Sequence, residues 1–278
     1  MRRIAILLTM FLLLGITSAW ATDEQNSCPI EDAASVDEAV ARITAKLEKQ
    51  GFDVVAIINH SKNAANVGLE LDPTQVIFFR SSRLEPPLLK QNQTVGIDLP
   101  FKFLVYEDTS GIQCKFNDIG YLADRHDLRI LNLGLLLLNK AQEQFGKLDN
   151  GVITIESNQS VDETVSSLRI ALVNAGFAIP LEIEFGADAV GRRTKLRQAT
   201  LLVFGNPNVG TQLMQNRQEI GLDLPQKFLV FEDRKGQVHI AYNDPFFIAQ
   251  RAGIQGLEQL LTNIANALRG LAEAGVNP

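Results

Sequence analysis

The chain has 278 residues, of which 46% are hydrophobic and 21% are charged, with a formal net charge of -6. This length fits two ordinary domains, and this balance is typical of a globular chain rather than a disordered one. The acidic composition argues against a nucleic-acid-binding protein, which needs clustered basic residues. The short basic run at residues 192–197 lies between apolar segments and is interpreted as a solvated loop or strand edge.

Residues 1–21 are predicted to be a signal peptide. Arg2 and Arg3 form a basic start, residues 4–16 are almost entirely apolar, and Ala19-Trp20-Ala21 supplies small residues before a cleavage site. Cleavage would give an exported protein, periplasmic or secreted, with no transmembrane span, because the apolar run is short for a membrane helix. An uncleaved N-terminal anchor is the alternative.

The two cysteines are Cys28 and Cys114. An even pair in an exported protein favours a disulfide, which would tie the N-terminal arm to the first domain. Their spacing excludes a Cys-x-x-Cys redox motif, and the three dispersed histidines do not form a zinc-binding pattern. The sequence therefore predicts no metal site and no cofactor.

One stretch of thirteen residues occurs twice in the chain. Residues 96–108 and 221–233 are identical at ten of thirteen positions, at a constant offset of 125 residues. Ser35-Val36-Asp37-Glu38 recurs at the same offset from Ser160, and in both copies a serine three residues before a glutamate predicts the start of a helix. The chain is therefore interpreted as a tandem duplication, with repeats at 22–147 and 148–278.

Each repeat is predicted to have the element order β-α-β-β-α-β-β-α, which is an α+β fold with a mostly antiparallel sheet and helices against one face. In the second repeat the predicted strands are 152–156, 177–185, 200–204, 227–232 and 237–242, and the final helix is 256–272. In the first repeat the opening strand falls on a degraded segment, residues 28–31. The last helix of that repeat, 131–145, is apolar on more than one face, which predicts burial between the domains.

The repeated motif is similar to that of a known family. Residues 224–233, the turn glycine Gly236, residues 242–245 and a helix with Ala249 and Arg251 resemble the DUF302 family, as does the Asn-Pro-x-x-Gly-Thr-x-Leu-Met pattern at 206–214. The resemblance covers nearly all of both repeats. It implies a compact α+β domain that pairs with a second copy, so that the two repeats form a pseudo-dimer and the chain is monomeric. It implies no catalytic residue and no cofactor.

The two repeats depart from the family pattern in different places. The first repeat has residues 81–86 where the second keeps Asn-Pro and Gly-Thr. The second has Arg251-Ala252-Gly253 where the first keeps Arg125-His126. Neither repeat carries the whole pattern.

Most polar residues that recur in both repeats have a structural interpretation. Asp98 and Asp223 are read as turn residues, and Asn117 and Asn243 as parts of helix N-termini. Lys227 and Arg251 each have two possible interpretations. Each either forms an ion pair with Glu232 or Asp233, or faces an anionic ligand.

Two further candidates have equally open interpretations. The segment from Asn206 through Gly210 and Thr211 follows a buried strand, so its backbone N–H groups either bind an anion or only form a tight turn. His126 is a lone histidine without a legible nucleophile beside it, and is read as either a surface or capping residue or a ligand-binding one.

The sequence therefore predicts an exported two-domain module that binds a small ligand or a protein partner without catalysis. The alternative is an enzyme or small-molecule site in the cleft between the repeats, motivated by their complementary losses. It requires the candidate ligand-binding residues to converge across the interface. These residues are Asn206, Gly210, Thr211, Lys227, Arg251 and His126.

Overall fold

The computed structural model describes residues 33–129, 150–185 and 196–276. The predicted signal peptide, the degraded strand at 28–31, the apolar helix at 131–145 and most of the basic run lie outside these residues. The described residues form two α+β units in tandem, each built on one antiparallel sheet, and this confirms the predicted fold class.

The elements of the first repeat are, in order, α1 (Val36–Lys49), β1 (Asp53–Asn59), α2 (His60–Ala65), β2 (Thr74–Arg80), α3 (Glu85–Gln91), a 3-10 turn (Gln93–Ile97), β3 (Phe101–Asp108), β4 (Gly111–Phe116) and α4 (Ile119–His126). Those of the second repeat are β5 (Val152–Ser157), α5 (Val161–Asn174), β6 (Ala178–Phe185), β7 (Ala199–Gly205), α6 (Pro207–Asn216), a 3-10 turn (Gln218–Leu222), β8 (Gln226–Glu232), β9 (Val238–Asn243), α7 (Pro245–Ala252) and α8 (Glu258–Val276).

Local sequence signals set the helix boundaries. Ser160 caps α5 in a full capping box with Glu163, and Ser35 caps α1 by accepting from the backbone N–H of Glu38. Gly51 and Gly176 follow the two helices, each with a φ of 81°, a left-handed conformation that glycine adopts without steric cost. These contacts confirm the predicted helix ends.

Both sheets are antiparallel between every pair of neighbouring strands. The described strand order is β1-β2-β3-β4 in the first repeat and β5-β9-β8-β7-β6 in the second. The repeated stretch supplies β3 and β8, and each forms a hairpin with the strand that follows it.

The sheet of the second repeat is buried on both faces. Phe228 and Val230 of β8 pack in the core that holds α5 and α8, while Leu229 and Phe231 face the opposite side. That side is covered by the first repeat, whose 3-10 turn contributes Val95 and Ile97, among other residues. Because successive residues of a strand point to opposite faces, one apolar strand serves both cores.

The packing is reciprocal. Val76 and Leu104 of the first sheet lie in one hydrophobic cluster with Leu222, which ends the 3-10 turn of the second repeat. A Cβ atom on Gly96 would lie 2.8 Å from a methyl carbon of Leu229, and one on Gly221 would lie 2.9 Å from a methyl carbon of Leu104. The two repeats therefore pack as a pseudo-dimer in which each 3-10 turn lies against the sheet of the other repeat.

Candidate functional site between the repeats

A group of polar side chains occupies the interface between the repeats, and we call it the interface cluster. Four pairs of its members come from matching positions in the two copies of the fold, while Tyr121 and His126 belong to the first repeat alone. They are Asp98, Lys102, Asn117, Tyr121, Arg125 and His126 from the first repeat, and Asp223, Lys227, Asn243 and Arg251 from the second.

Matching elements place these side chains. Asp98 and Asp223 end the two 3-10 turns, and Asn243 ends β9. Lys102 and Lys227 are the second residues of β3 and β8, on the strand face that packs against the other repeat. The arginines lie in the last turns of α4 and α7.

The two arginines make reciprocal hydrogen bonds across the interface. Arg125 binds the carboxylate of Asp98 in its own repeat at 2.9 Å, and its Nη2 donates to the amide oxygen of Asn243 at 2.8 Å. Arg251 binds Asp223 at 2.9 Å and donates to the amide oxygen of Asn117. Each arginine thus joins an aspartate of its own repeat to an asparagine of the other.

Arg125 is the more deeply placed of the two. Its side chain is 2% exposed, against 28% for that of Arg251. It also donates to the carbonyl oxygens of Asn150 at 2.9 Å and Gly151 at 3.4 Å. Arg125 therefore contacts the first repeat, the start of the second and its β9.

Asp98 has partners on both carboxylate oxygens. Oδ2 accepts from Arg125 and from Nε2 of His126 at 2.7 Å, and Oδ1 accepts from Arg125 at 3.1 Å and from Asn117 at 3.5 Å. Burial alone would raise the pKa of Asp98, but Arg125 and the His126 hydrogen bond outweigh it and hold that pKa well below its usual range. Nδ1 of His126 lies 3.0 Å from the hydroxyl of Thr94, so the ring is held at both nitrogens.

The two lysines are buried but differ in their contacts. Nζ of Lys227 donates to the carbonyl oxygens of Asp223 at 2.7 Å and Pro225 at 3.3 Å. Nζ of Lys102 has no hydrogen-bond partner in the described part of the chain. Burial lowers the pKa of Lys102, and burial together with the charge of Lys102 lowers that of Lys227 well below its usual value.

The cluster carries more cations than carboxylates. When fully ionised, Lys102, Lys227 and the two arginines exceed the two aspartates by two positive charges. Three other buried polar atoms in the cluster also lack a partner among the described residues: Oδ1 of Asp223, Nδ2 of Asn243 and the hydroxyl of Tyr121. An arrangement with unused donors, an unused acceptor and, when both lysines are charged, excess positive charge is suited to binding a small anion.

Three of the six candidate residues from the sequence belong to this cluster. Lys227 and Arg251 contact Asp223, so the predicted ion pairs with Glu232 or Asp233 are wrong. His126 is fully buried and bound to Asp98, which corrects its reading as a surface residue.

The other three candidates belong to helix α6 instead. Asn206 caps that helix by accepting from the N–H of Asn208 at 3.0 Å, while Gly210 and Thr211 lie inside it. Thr211 is buried, and the N–H of Gly210 donates to the carbonyl oxygen of Asn206. The segment is therefore a capped helix start whose N–H groups are used by the helix itself. Among the described residues, no hydrogen bond joins this segment to the interface cluster.

Sequence reasoning missed the roles of four residues. The sequence pattern favours turn roles for Asp98 and Asp223 and helix-start roles for Asn117 and Asn243, yet all four bind the arginines. The available signal was their recurrence in both repeats, next to largely apolar strands. Recurrence alone does not say which side chains meet across an interface.

The remaining sequence predictions concern the cysteines. Cys114 is buried on β4, opposite Val105 of β3. Cys28 lies outside the described residues, so its pairing with Cys114 stays a prediction.

Comparison with known proteins gives a family and several relatives. The model of DUF302, described as a domain of unknown function, matches residues 28–149 and 153–275. A protein named fluoride-specific ion channel FluC 1 from Brucella suis biovar 1 (strain 1330) is 34% identical over 132 residues, covering 48% of this chain and 52% of that protein. FluC 1 from Brucella abortus biovar 1 (strain 9-941) is also 34% identical, with 48% and 49% covered. The chain spans about half the length of these curated relatives.

A solved structure is also similar. It is the crystal structure of an uncharacterized conserved DUF302 protein from Bacillus stearothermophilus, with 17% identity and a TM-score of 0.41. The match covers 45% of this chain and 97% of that one. Among the residues described here, no helix has both the length and the apolar character needed to cross a membrane.

Proposed function

Because the chain belongs to the DUF302 family, a domain of unknown function that matches both of its repeats, we propose its role from the interface cluster: the two repeats together bind a small anion. One observation carries this proposal. The ammonium group of Lys102 is buried and has no hydrogen-bond partner among the described residues. A buried charge is costly unless it is paired, and an anion would supply the missing partner.

The surrounding charges support the same function. Both aspartates are already bound by arginines, so their negative charge is shared among several cations. Burial lowers the pKa of Lys102, and the charges of Asp98 and Asp223 only partly oppose that shift. A bound anion would favour the charged form of Lys102, and the lysine in turn would favour the anion.

The names of the relatives add one anion to those worth testing. The Brucella proteins are named fluoride-specific ion channels, and this chain matches about half of their length. Fluoride is therefore included beside chloride, acetate and phosphate.

The test is a thermal-shift and calorimetric titration of the purified protein with the sodium salts of these anions at constant ionic strength. We expect at least one anion to raise the unfolding midpoint, because a ligand of the native state stabilises it by RT ln(1 + [L]/Kd). Lys102→Met should lose this response. Lys235→Met, which removes an exposed lysine from a hairpin, is the control that should keep it. The proposal is wrong if no anion distinguishes the wild type from Lys102→Met.

A second candidate function is catalysis through Lys227. Its amine lies near a second buried lysine, whose charge adds to the effect of burial in lowering the pKa of Lys227. Desolvation beside another cation is one way in which enzymes make a lysine nucleophilic toward carbonyl compounds. Such a lysine would form an imine with an aldehyde, releasing water, and borohydride would reduce it to a stable adduct. Mass spectrometry should then place the adduct on Lys227, and its absence there would reject this candidate.

We also propose that the protein is exported and that Cys28 pairs with Cys114, as the sequence predicts. The mass of the protein recovered from its native host would show cleavage after Ala21. A peptide map without reductant would show the disulfide as a linked pair of peptides. An intact N-terminus or two free thiols would contradict the respective prediction.

A further inference from the structure

The two halves of the interface cluster differ at their aspartates. Both oxygens of Asp98 accept hydrogen bonds. In the second repeat, Oδ2 of Asp223 accepts from Arg251, while Oδ1 is buried and has no partner among the described residues. The near two-fold arrangement therefore leaves one carboxylate oxygen free on the second-repeat side.

A sequence difference accounts for part of this asymmetry. His126 donates to Asp98 in the first repeat, and the matching position in the second repeat is Ala252. The alanine side chain has no polar hydrogen to donate, so Asp223 lacks the histidine donor that Asp98 has. His126 and Ala252 end the matching helices α4 and α7, so the two repeats place different side chains at the same point of the fold.

The unused donors belong to the same cluster. The charge of Asp223 influences the pKa of both Lys102 and Tyr121. Burial lowers the pKa of Lys102, and the charges of Asp98 and Asp223 oppose that shift. Burial raises the pKa of Tyr121, and the charges of both aspartates raise it further. Asn243 is bound through its oxygen to Arg125, which leaves its Nδ2 unused. The cluster thus offers three donor groups and one acceptor, all of them buried and unpartnered among the described residues.

We infer that the anion bound between the repeats is a small oxyanion that keeps an O–H group, such as hydrogencarbonate or a protonated phosphate. This inference rests on the proposed anion-binding function and specifies its ligand. The oxyanion accepts hydrogen bonds from Lys102, Tyr121 and Asn243, and its O–H group donates to Oδ1 of Asp223. A bare halide or nitrate satisfies the donors but leaves the buried carboxylate oxygen without a hydrogen.

Hydrogencarbonate and nitrate make a matched test, because both are planar monoanions and only the former has an O–H group. Phosphate and sulfate form a second pair of similar size. Isothermal titration of the wild type should show the O–H-bearing member of each pair binding about tenfold or more tightly, which is the factor expected for a hydrogen bond to a charged group.

The matched variants are Asp223→Asn and Asp98→Asn. Asp223→Asn presents a donor where the carboxylate accepted, so the preference for hydrogencarbonate over nitrate should disappear or reverse. Asp98→Asn removes the same charge from the same cluster but leaves Oδ1 of Asp223 unchanged. The preference for hydrogencarbonate over nitrate should therefore remain, even if the affinities for both anions fall. Ala252→His is a further variant that keeps Asp223 and supplies the donor found in the first repeat, and it should also remove the preference.

The outcomes separate this inference from the function on which it rests. If none of the tested anions binds to the wild type, the anion-binding function itself fails. If nitrate binds the wild type as tightly as hydrogencarbonate, or if Asp223→Asn keeps the preference, the protein binds anions but the O–H requirement is wrong.

Discussion

Arg125 donates to the amide oxygen of Asn243 at 2.8 Å, across the boundary between the two repeats. Arg251 donates to Asn117 in the reverse direction. In a two-fold symmetric dimer, a contact from one position to another is matched by the reverse contact. Here the same reciprocity holds within one chain, so the duplicated sequence encodes both halves of its own interface.

Asn243→Ala should destabilise the protein more than Asn117→Ala. Asn243 is 1% exposed and its arginine partner is buried, so its loss leaves a buried guanidinium N–H unpaired, at a cost of about 1–3 kcal/mol. The partner of Asn117 is Arg251, which is more exposed and can turn to water. Urea unfolding of both variants measures the difference, and equal losses would contradict this account of the interface.

Gly96→Ala and Gly221→Ala should each destabilise the pairing of the repeats. The added methyl group would lie 2.8 Å or 2.9 Å from a buried leucine of the other repeat, and overpacking of this kind costs about 1–3 kcal/mol. Leu229→Val should partly rescue Gly96→Ala because it removes the methyl carbon that clashes.

Gly210→Ala is the control for these two glycine variants. Gly210 lies inside α6, and the nearest atom to an added Cβ is 3.7 Å away. Since alanine is favoured over glycine in a helix by about 0.5–1 kcal/mol, this variant should be neutral or more stable. A strong loss of stability there would show that Gly210 has a role that its contacts do not reveal.

His60→Phe should make the protein less sensitive to acid. His60 is buried at the interface and has a backbone hydrogen bond with Gly221, and burial lowers its pKa from 6.5 to about 4. The unfolded chain therefore binds more protons than the folded one between these pH values, so stability falls as the pH falls through them. The full loss is about 3 kcal/mol at 1.36 kcal/mol per unit of pKa.

The replacement is the residue that the second repeat has at the matching position, Phe185. Phe185 lies against Gly96 as His60 lies against Gly221. Urea unfolding of wild type and variant across this pH range should show the acid loss in the wild type and a smaller loss in the variant. If the stability of wild type and variant depends on pH in the same way, His60 is not the source of the acid sensitivity.

Lys102→Met should be more stable than the wild type at neutral pH in buffer without a binding anion, and this advantage should shrink as the pH rises. Burial lowers the pKa of Lys102 from 10.5, so between the lowered value and 10.5 the unfolded wild type binds more protons than the folded state. Wild-type stability therefore rises with pH relative to the variant, whose methionine does not titrate. A constant difference across that range would mean that Lys102 is not proton-linked to folding.

Much of the fold was predictable because its determinants are local. Ser160 and Glu163 form the capping box that their spacing predicts, and Asp233 accepts from turn N–H groups as its place before Gly236 predicts. The apolar run of β8 likewise predicts a strand, but the run alone does not show that both faces of that strand are buried.

The candidate site was less predictable because its contacts join residues far apart in the chain. Lys227 lies in the interface cluster, but its neighbours in sequence, Glu232 and Asp233, are not its partners. A strand extends about 3.3 Å per residue, so a lysine and an acid five or six residues along the same strand are too far apart for an ion pair. Asp223, which precedes the strand, lies close enough for its carbonyl oxygen to accept from Lys227.

The sequence by itself determined the duplication and the α+β class, because these follow from repeats, caps and periodicities over a few residues. The short helix α2 (His60–Ala65) was not predicted. The tertiary structure alone decided that Arg125 binds Asn243 and Arg251 binds Asn117 between the repeats, and that Lys102 has no hydrogen-bond partner among the described residues. The physical reason is that burial and charge pairing at an interface depend on which two surfaces meet. In this chain a second copy of the same fold provides the other surface.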